Sequence, residues 1–489
     1  MPPDSGGANS VGGAEETLME DERAAMDPRQ RVRTSRQFDK PWLLSERAVP
    51  RLVLRPLERY LQREAGSASL LMAAATVALV WANVWPDSYD NAWSTVMAVD
   101  LGPLLIEEDL RHWINDLLMA VFFYVVSLEV KRELLFGSLR DRRSAAVPTA
   151  AAFGTMFGAA LTYLAVNLIG DGDLRGWAIP IATDIAFAIG VLGLVGRRAP
   201  KELRAFMLTL AVVDDLGTIV VIGVVFSTGF SPAWFAAAAA AVVTLLVAQR
   251  IGIRALVPYV LLAGLLWLAV LKSGVHATIA GVVLGFLTPA VALHSRQRTG
   301  EFLGARLSEI ASSDREVSEG TLLNTSRLAQ EAVSPLARME ERLHPWSAYA
   351  ILPLFALANA GVPVSLDGVI DALRSPVGLG IALGLVVGAP LGGILFAWSS
   401  IRLGAGRMPD GLDWPAIGAV TPLKGIGFTI AIFISALAFD EVELQEQAKL
   451  AILFASAAAA MTGFAALSLR AALLRRSTRA GAAQGRRSP

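Results

Sequence analysis

Residues 179–187 read IPIATDIAF and place Asp184 in the middle of an apolar run that extends from 177 to 195. Because a proline and small residues precede this carboxylate, the run predicts a membrane-spanning helix that breaks near its centre. A second apolar run, 415–438, contains the similar break PLKGIGFTI at residues 422–430. Interrupted helices at corresponding places in two halves of a chain indicate a transporter with its binding site at the bilayer midplane, where the breaks expose backbone carbonyls and dipole ends.

The composition of the whole chain agrees with a protein that crosses the membrane many times. Of its 489 residues, 54% are hydrophobic and 18% are charged, and the mean hydropathy is +0.51. A soluble protein could not bury so many apolar side chains, whereas a bilayer solvates them directly. The 43 basic and 43 acidic residues cancel, so no basic excess indicates a nucleic-acid partner. The absence of cysteine excludes disulfides and cysteine-bound metals.

Twelve apolar runs approach the roughly 20 residues that cross a bilayer as a helix. They extend over residues 67–85, 114–130, 145–169, 177–195, 205–227, 233–249, 255–272, 274–291, 346–363, 376–401, 415–438 and 447–470. We therefore predict an all-α polytopic membrane protein with about twelve transmembrane helices.

The loops between these runs alternate in charge. Basic side chains follow spans two, four and twelve: Lys131, Arg132, Arg140, Arg142, Arg143, Arg197, Arg198, Lys201, Arg204, Arg475, Arg476 and Arg479. Acidic side chains follow spans one and eleven: Asp87, Asp90, Asp100, Glu107, Glu108, Asp109, Asp440, Glu441 and Glu443. By the positive-inside rule, this pattern predicts that both termini are cytoplasmic.

The remaining segments differ from the spans in composition. We predict four regions: a disordered cytoplasmic tail at 1–40, an interfacial amphipathic segment at 41–66, a transport domain at 67–475 and a basic cytoplasmic tail at 476–489. The long loop 292–345 is cytoplasmic in this topology, and its pattern predicts a helical stretch from Glu319 to His344.

Ionisable side chains inside the spans indicate the candidate site, because hydrocarbon tolerates charge only where it is paired or hydrated. Four lie well inside their spans: Asp184, Asp214, Asp215 and Lys424. Three carboxylates exceed what one lysine can pair, which favours a hydrated cation site over an internal ion-pair brace. Carboxylate oxygens bind hard cations and also protons, so such a site can exchange one for the other. Asp116 and Glu129 lie nearer the ends of span two and are equally explained as helix-end charges.

The two adjacent aspartates cannot both point at one ion. Neighbouring residues on a helix point about 100° apart, so one of Asp214 and Asp215 should face a cavity and the other a neighbouring group. Two buried carboxylates so close together should titrate as a coupled pair. We therefore expect cation binding to depend strongly on pH.

Nine short motifs, in this order along the chain, resemble the NhaA-type sodium/proton antiporters. They are WIND at 113–116, FF at 122–123, LEVKREL at 128–134, ATDIAF at 182–187, DDLG at 214–217, SGVHAT at 273–278, HPW at 344–346, FALANAG at 355–361 and GIGFT at 425–429. The resemblance covers roughly residues 55–475 and leaves only the two tails outside it.

The resemblance implies a fold of twelve helices with inverted-topology repeats and two broken crossing helices, here spans four and eleven. It implies that Asp214 and Asp215 bind Na⁺ and carry protons, with Asp184 and Thr183 at the crossing. It further implies exchange of Na⁺ or Li⁺ for H⁺ by alternating access, with the proton gradient extruding sodium and regulating cytoplasmic pH. No cofactor is implied beyond the transported ions.

Three more residues are assigned by the resemblance to a region associated with pH response. Glu341 and His344 would lie at the cytoplasmic entrance, and the third residue is Glu129, near the end of span two. His344 is equally explained as a residue that simply starts a helix before Pro345. The resemblance also implies a bacterial inner membrane and the possibility of a homodimer.

One departure from the family concerns a lysine. The family usually has GKPLG in span ten, where this chain reads GAPLG at residues 388–392, with Ala389 in place of the lysine. Lys424 stands instead beside the break in span eleven, where the family has no typical charge. Its ammonium could offset the negative ends of the broken helices and pair with Asp184 or Asp215. The departure leaves open whether proton stoichiometry and electrogenicity follow the family.

Two other classes of protein also carry charge inside the membrane. An intramembrane aspartyl protease needs two aspartates on separate, facing helices, which adjacent Asp214 and Asp215 do not provide. A cation channel or a cation-coupled symporter of the same fold stays an alternative. Flux in vesicles separates these classes, because only an antiporter moves protons obligatorily against the cation.

Overall fold

The computed structural model describes residues 64–100, 105–195, 201–227, 229–253, 256–292, 295–312, 319–409 and 411–485. The predicted tail at 1–40 and nearly all of the predicted interfacial segment at 41–66 lie outside these residues.

The described residues are almost entirely helical. The α-helices are α1 (Glu64–Val84), α2 (Pro86–Trp93), α3 (Leu110–Trp113), α4 (Met119–Leu135), α5 (Arg142–Ile169), α6 (Ile185–Val195), α7 (Lys201–Val225), α8 (Pro232–Ile251), α9 (Leu256–Lys272), α10 (Thr278–Leu287), α11 (Arg296–Ser312), α12 (Glu319–Glu331), α13 (Pro335–Trp346), α14 (Leu352–Asn359), α15 (Leu366–Arg374), α16 (Pro376–Leu383), α17 (Ala389–Arg402), α18 (Trp414–Val420), α19 (Phe428–Ala438) and α20 (Val442–Gly485). Tighter 3₁₀ turns occupy Ser138–Arg140, Leu174–Ile181 and Thr421–Gly425, and wider π turns occupy Ile114–Leu118, Ser347–Ile351 and Gly384–Gly388.

These helices confirm the predicted all-α membrane architecture. In the described part of the chain, seven helices are long and apolar enough to cross a membrane, and two further pairs pass the same test as bent spans. The pairs bend by 41° between Leu174–Ile181 and Ile185–Leu194 and by 45° between Trp414–Gly425 and Phe428–Ala438. Two shorter apolar helices, α9 and α10, and the α13–α14 segment account for the other predicted spans.

Several predicted boundaries differ from the structure. The eighth span was expected from 274, but α10 begins at Thr278, because Gly274 adopts the left-handed conformation (φ 83°) and turns the chain first. The ninth span begins earlier than 346, since α13 continues through a π turn into α14 without a break.

Three features were not expected from the hydropathy pattern. Strands β1 (Val96–Asp100) and β2 (Leu105–Asp109) form an antiparallel pair in the loop after the first span. The predicted helical stretch 319–344 is two helices, because Ser334 caps the start of α13 through the backbone N–H of Ala337. Helix α20 continues through Gly485, into the predicted basic tail.

The two bent spans contact each other at their breaks. The backbone N–H of Asp184 donates to the carbonyl of Ile426 at 2.6 Å, so an orphan group of one break is satisfied by the other. A Cβ added at Gly427 would lie 2.8 Å from the Ala182 carbonyl oxygen, which explains why glycine stands there. The predicted crossing of two broken helices is confirmed.

Helices α5 and α17 pack closely beside this crossing. A Cβ added at Gly158 would lie 2.9 Å from the Cα of Gly392, so the two backbones touch where neither residue has a side chain. Small residues four positions apart permit this approach between membrane helices. The packing holds α5, α7 and the broken helices in one buried group.

Candidate functional site

The centre of the site is an ion pair between Lys424 and Asp214. The Lys424 ammonium contacts Oδ2 of Asp214, and their side chains are 0% and 2% exposed. Lys424 comes from the 3₁₀ turn that ends the first half of the second broken helix, and Asp214 comes from the middle of α7. The expectation that Lys424 pairs with Asp184 or Asp215 is wrong, because the crossing directs its side chain to Asp214.

Two hydroxyl groups lie around the same carboxylate. Thr155 of α5 donates to Oδ1 of Asp214 at 3.3 Å, and Thr183 donates to Oδ2 at 3.4 Å. The Thr183 hydroxyl also lies 3.0 Å from the backbone carbonyl oxygen of Lys424, which links the two breaks. Sequence reasoning found Thr183 through its motif but missed Thr155, whose only signal was a hydroxyl in an apolar span.

The neighbouring carboxylate, that of Asp215, has a different hydrogen-bonding environment. Its residue is 6% exposed, and no hydrogen bond to its carboxylate occurs among the residues that the structure describes. The charges that act on it come from four residues around it: Lys424, Asp214, Glu129 and Asp184. Asp214 thus faces a neighbouring group, as expected for one of the two adjacent aspartates, and that Asp215 faces a cavity stays a prediction.

Asp184 serves both broken helices. Its Oδ1 accepts from the Phe187 backbone N–H at 3.2 Å, near the start of α6. Its Oδ2 accepts from Thr429 at the start of α19, at 3.3 Å from the backbone N–H and 2.5 Å from the hydroxyl. A carboxylate at the N-terminus of a helix is stabilised by free N–H groups and by the helix dipole. Asp184 therefore caps two half-helices at once.

The described residues contain no group of three or more His, Asp or Glu side chains arranged to hold a metal ion. A cation at Asp215 would therefore need hydroxyl groups, backbone carbonyls or water as its other oxygen ligands, as alkali ions commonly do. Ala389, the residue at which the resemblance leads us to expect a lysine, is buried at the start of α17. The buried ammonium in this region is that of Lys424.

A second group of charges lies where α4 meets α13. Arg132 forms ion pairs with Glu340 and with Glu133, the latter at 3.5 Å. His344 Nε2 lies 3.6 Å from Glu129 Oε1. Glu341 is exposed and belongs to neither pair, because its side chain points about 100° away from that of Glu340 on the helix. Sequence reasoning thus missed Glu340, the residue that α13 directs to Arg132.

This second group makes the stability of the protein depend on pH. Burial raises the pKa of Glu340, although Arg132 opposes the shift and Glu133 adds to it. A raised carboxylate pKa means that stability falls as pH rises through it. We expect Arg132→Gln to cost about 1–2 kcal/mol at high pH, less than a fully buried pair because the guanidinium is 43% exposed.

The measurement is the melting temperature of the purified variant between about pH 5 and pH 8. The deficit of Arg132→Gln relative to the original protein should widen as pH rises, and the double variant Arg132→Gln/Glu340→Gln should regain most of it. A deficit of equal size at every pH would contradict the pairing.

Asp116 lies at the start of the second span, in the π turn Ile114–Leu118 that precedes α4, and it contacts two other residues. Its Oδ1 lies 3.8 Å from Nε2 of His276, and its backbone carbonyl accepts from the indole N–H of Trp267 at 3.1 Å. Both partners lie outside the second span, Trp267 within α9 and His276 in the break before α10. Asp116 is thus a bound residue of the helix end rather than part of the Lys424 group.

Known proteins resemble this chain over most of its length. The family model described as Na⁺/H⁺ antiporter 1 matches residues 58–467. A protein of Rhodopirellula baltica named Na(+)/H(+) antiporter NhaA is 43% identical over 418 residues, which is 85% of this chain and 94% of the relative. Na(+)/H(+) antiporter NhaA 2 of Myxococcus xanthus is 44% identical over 447 residues, 89% and 93% of the two chains. Na(+)/H(+) antiporter NhaA of Escherichia coli O139:H28 is 43% identical over 422 residues, 85% and 99%.

Proposed function

This chain belongs to the Na⁺/H⁺ antiporter 1 family, and we propose that it uses the proton gradient to extrude Na⁺ through the site around Asp214 and Asp215. Its relatives are antiporters by name, so the chain is a multi-pass membrane transporter and not an enzyme.

Asp215 is the proposed carrier of the cation and of a proton. The observation that supports this role is the contrast between the two aspartates, since Asp214 is engaged by Lys424 and two hydroxyls while Asp215 has no hydrogen-bond partner among the described residues. A buried carboxylate without a partner is costly when ionised, so it gains most from binding either a proton or Na⁺. Competition for this one carboxylate couples the two ions.

Lys424 and Asp214 supply a second step that depends on protons, in addition to the competition at Asp215. A bound cation near Asp215 repels the ammonium and competes for the oxygens of Asp214, so cation binding weakens the ion pair. Loss of a proton from Lys424 or uptake of one by Asp214 on the return half-cycle would then change the charge moved per cycle. Lys424 thereby takes the charge-compensating role that Ala389 cannot perform.

Access to the site alternates by movement around the crossing. The broken helices are joined at their breaks by hydrogen bonds from the Asp184 N–H to Ile426, from Thr183 to Lys424 and from Thr429 to the Asp184 carboxylate. Rigid-body motion of one repeat against the other around a fixed midplane site is the common mode for inverted-repeat transporters. We propose the same motion here.

The membrane topology and the range of transported cations are proposed from the charge of the loops and the chemistry of the site. The basic loops support a bacterial inner membrane topology with both termini cytoplasmic. Li⁺ should replace Na⁺, because carboxylate and hydroxyl oxygens bind both small hard cations. No cofactor takes part. A homodimer is proposed on family resemblance, and cross-linking of the purified protein in lipid tests it.

The experiment is cation-induced proton movement in everted vesicles that lack other sodium/proton exchangers. After an inward proton gradient is formed, addition of Na⁺ or Li⁺ should release protons from the lumen, and K⁺ should not. Repetition at several pH values should show an apparent Na⁺ affinity that falls as pH falls, because protons compete for the carboxylates. Sodium flux without obligatory proton movement would identify a channel instead and reject the antiporter mechanism.

A further inference from the structure

Lys449, near the start of α20, is a second buried lysine that the proposed mechanism does not use. Its residue is 8% exposed, and it has no hydrogen-bond or ion-pair partner among the residues that the structure describes. The charges that act on it come from Arg111, Glu446 and Asp90. The Asp90 side chain is 74% exposed, so water and salt screen its charge, whereas a buried ammonium is screened much less. The charge of Lys449 therefore acts on the interior of the protein.

Helix α20 packs one face against the second broken span. The Gly427 backbone N–H donates to Ser456 Oγ at 3.3 Å. A Cβ added at Gly463 would overlap the side chain of Leu423, so the helix touches the broken span there as well. Ser456 and Gly463 are seven residues apart, which is close to two full helical turns. Lys449 lies seven residues before Ser456 and therefore continues the same face, about 10 Å along the helix axis from the break.

The buried charges around the crossing do not balance one bound Na⁺ unless Lys449 is included. Asp184, Asp214 and Asp215 are all buried, and when ionised they carry three negative charges against the single positive charge of Lys424. With the ammonium of Lys449 the group keeps one negative charge, which one monovalent cation neutralises. Without Lys449 it keeps two, which one divalent cation would neutralise. Buried charge that is left unneutralised is costly, so this difference bears on which cation binds.

We propose that Lys449 is a specificity-determining residue whose charge weakens the binding of every cation at the buried site and weakens that of divalent cations most. The inference rests on the proposed function, since it concerns the cation that Asp215 binds. A fixed charge acts on an ion in proportion to the charge of that ion. Its effect on the free energy of binding is therefore twice as large for Ca²⁺ as for Na⁺, while Na⁺ and Li⁺ are affected equally.

The test compares cation binding by purified Lys449→Met and Lys449→Arg, measured by calorimetry at an alkaline pH where the Na⁺ affinity no longer changes with pH. Protons then do not compete, and arginine stays charged while methionine has no charge. Na⁺ and Li⁺ should each bind about threefold more tightly to Lys449→Met than to Lys449→Arg. Ca²⁺, measured through its competition with Na⁺, should bind about ninefold more tightly, which is the square of the factor for a monovalent ion.

Lys272→Met is the matched control, because it removes an exposed lysine at the end of α9 and should change none of these affinities. The melting temperature of Lys449→Met should not fall, since the variant removes a buried charge that has no partner. Equal affinities in Lys449→Met and Lys449→Arg would overturn the inference and leave antiport intact. A change of the same factor for Na⁺ and Ca²⁺ would also overturn it, because a change in the shape of the site, unlike a change in charge, need not scale with the charge of the ion. Absence of exchange by the original protein in vesicles, with the expected affinities still measured, would instead reject antiport and keep the role of Lys449.

Discussion

Na⁺/H⁺ exchange by the Asp215→Asn variant is expected to fall at least about a hundredfold, to the background of vesicles without the protein. Asparagine keeps the shape of the side chain but carries neither a proton nor a full negative charge at neutral pH. The structure makes this the largest expected effect, because the Asp215 carboxylate is buried without a hydrogen-bond partner among the described residues. Loss of this charge should leave the stability of the fold almost unchanged and should abolish Na⁺ binding.

The measurement combines exchange in everted vesicles with Na⁺ binding by calorimetry on the purified variant. Both signals should disappear in Asp215→Asn while its melting temperature stays equal to or above that of the original protein. Asp371→Asn removes an exposed carboxylate from α15 and should leave exchange and binding unchanged. Exchange at the original rate in Asp215→Asn would remove this carboxylate from the mechanism.

Lys424→Ala is expected to have the second largest effect. It breaks an ion pair whose two side chains are almost fully buried, which typically costs about 3–5 kcal/mol because a charge is left without its partner. The melting temperature should fall accordingly. With the ammonium gone, the carboxylates hold their protons more tightly, so the pH range of any remaining exchange should move upward. The charge moved per cycle should also fall if Lys424 carries a proton.

Two further variants separate these effects. Lys424→Met/Asp214→Asn removes both charges and should recover most of the lost stability, since a neutral pair of similar size often replaces a buried ion pair well. Ala389→Lys on the Lys424→Ala background returns a lysine to span ten and should partly restore the pH profile. Normal stability, pH profile and voltage response in Lys424→Ala would exclude every role proposed for this lysine.

Much of the fold follows from local properties of the chain. The apolar runs predict the membrane spans because hydropathy over about 20 residues is a local quantity. The breaks in spans four and eleven can be predicted from the sequence, because proline and glycine change the conformation of the backbone at their own positions. The family motifs likewise lie in short continuous stretches, and the predicted family is confirmed over residues 58–467.

The boundaries that were wrong have a shared cause. Helix α13 begins before the predicted ninth span, and α10 begins after the start of the predicted eighth, because caps and turns rather than hydropathy end a helix. The strand pair β1–β2 was missed since a pairing between two short segments leaves little trace in composition.

The amino-acid sequence is sufficient to identify which ionisable groups enter the membrane and which spans hold them. Their partners depend on the packing of the helices: Lys424 contacts Asp214, Asp184 caps two half-helices, Glu340 rather than Glu341 contacts Arg132, and Thr155 lies beside Asp214. Except for the bond from Phe187 to Asp184, each partnership joins residues that are far apart in the chain. It depends on how two helices rotate and cross, and a difference of one residue, or about 100°, turns a side chain from one neighbour to another.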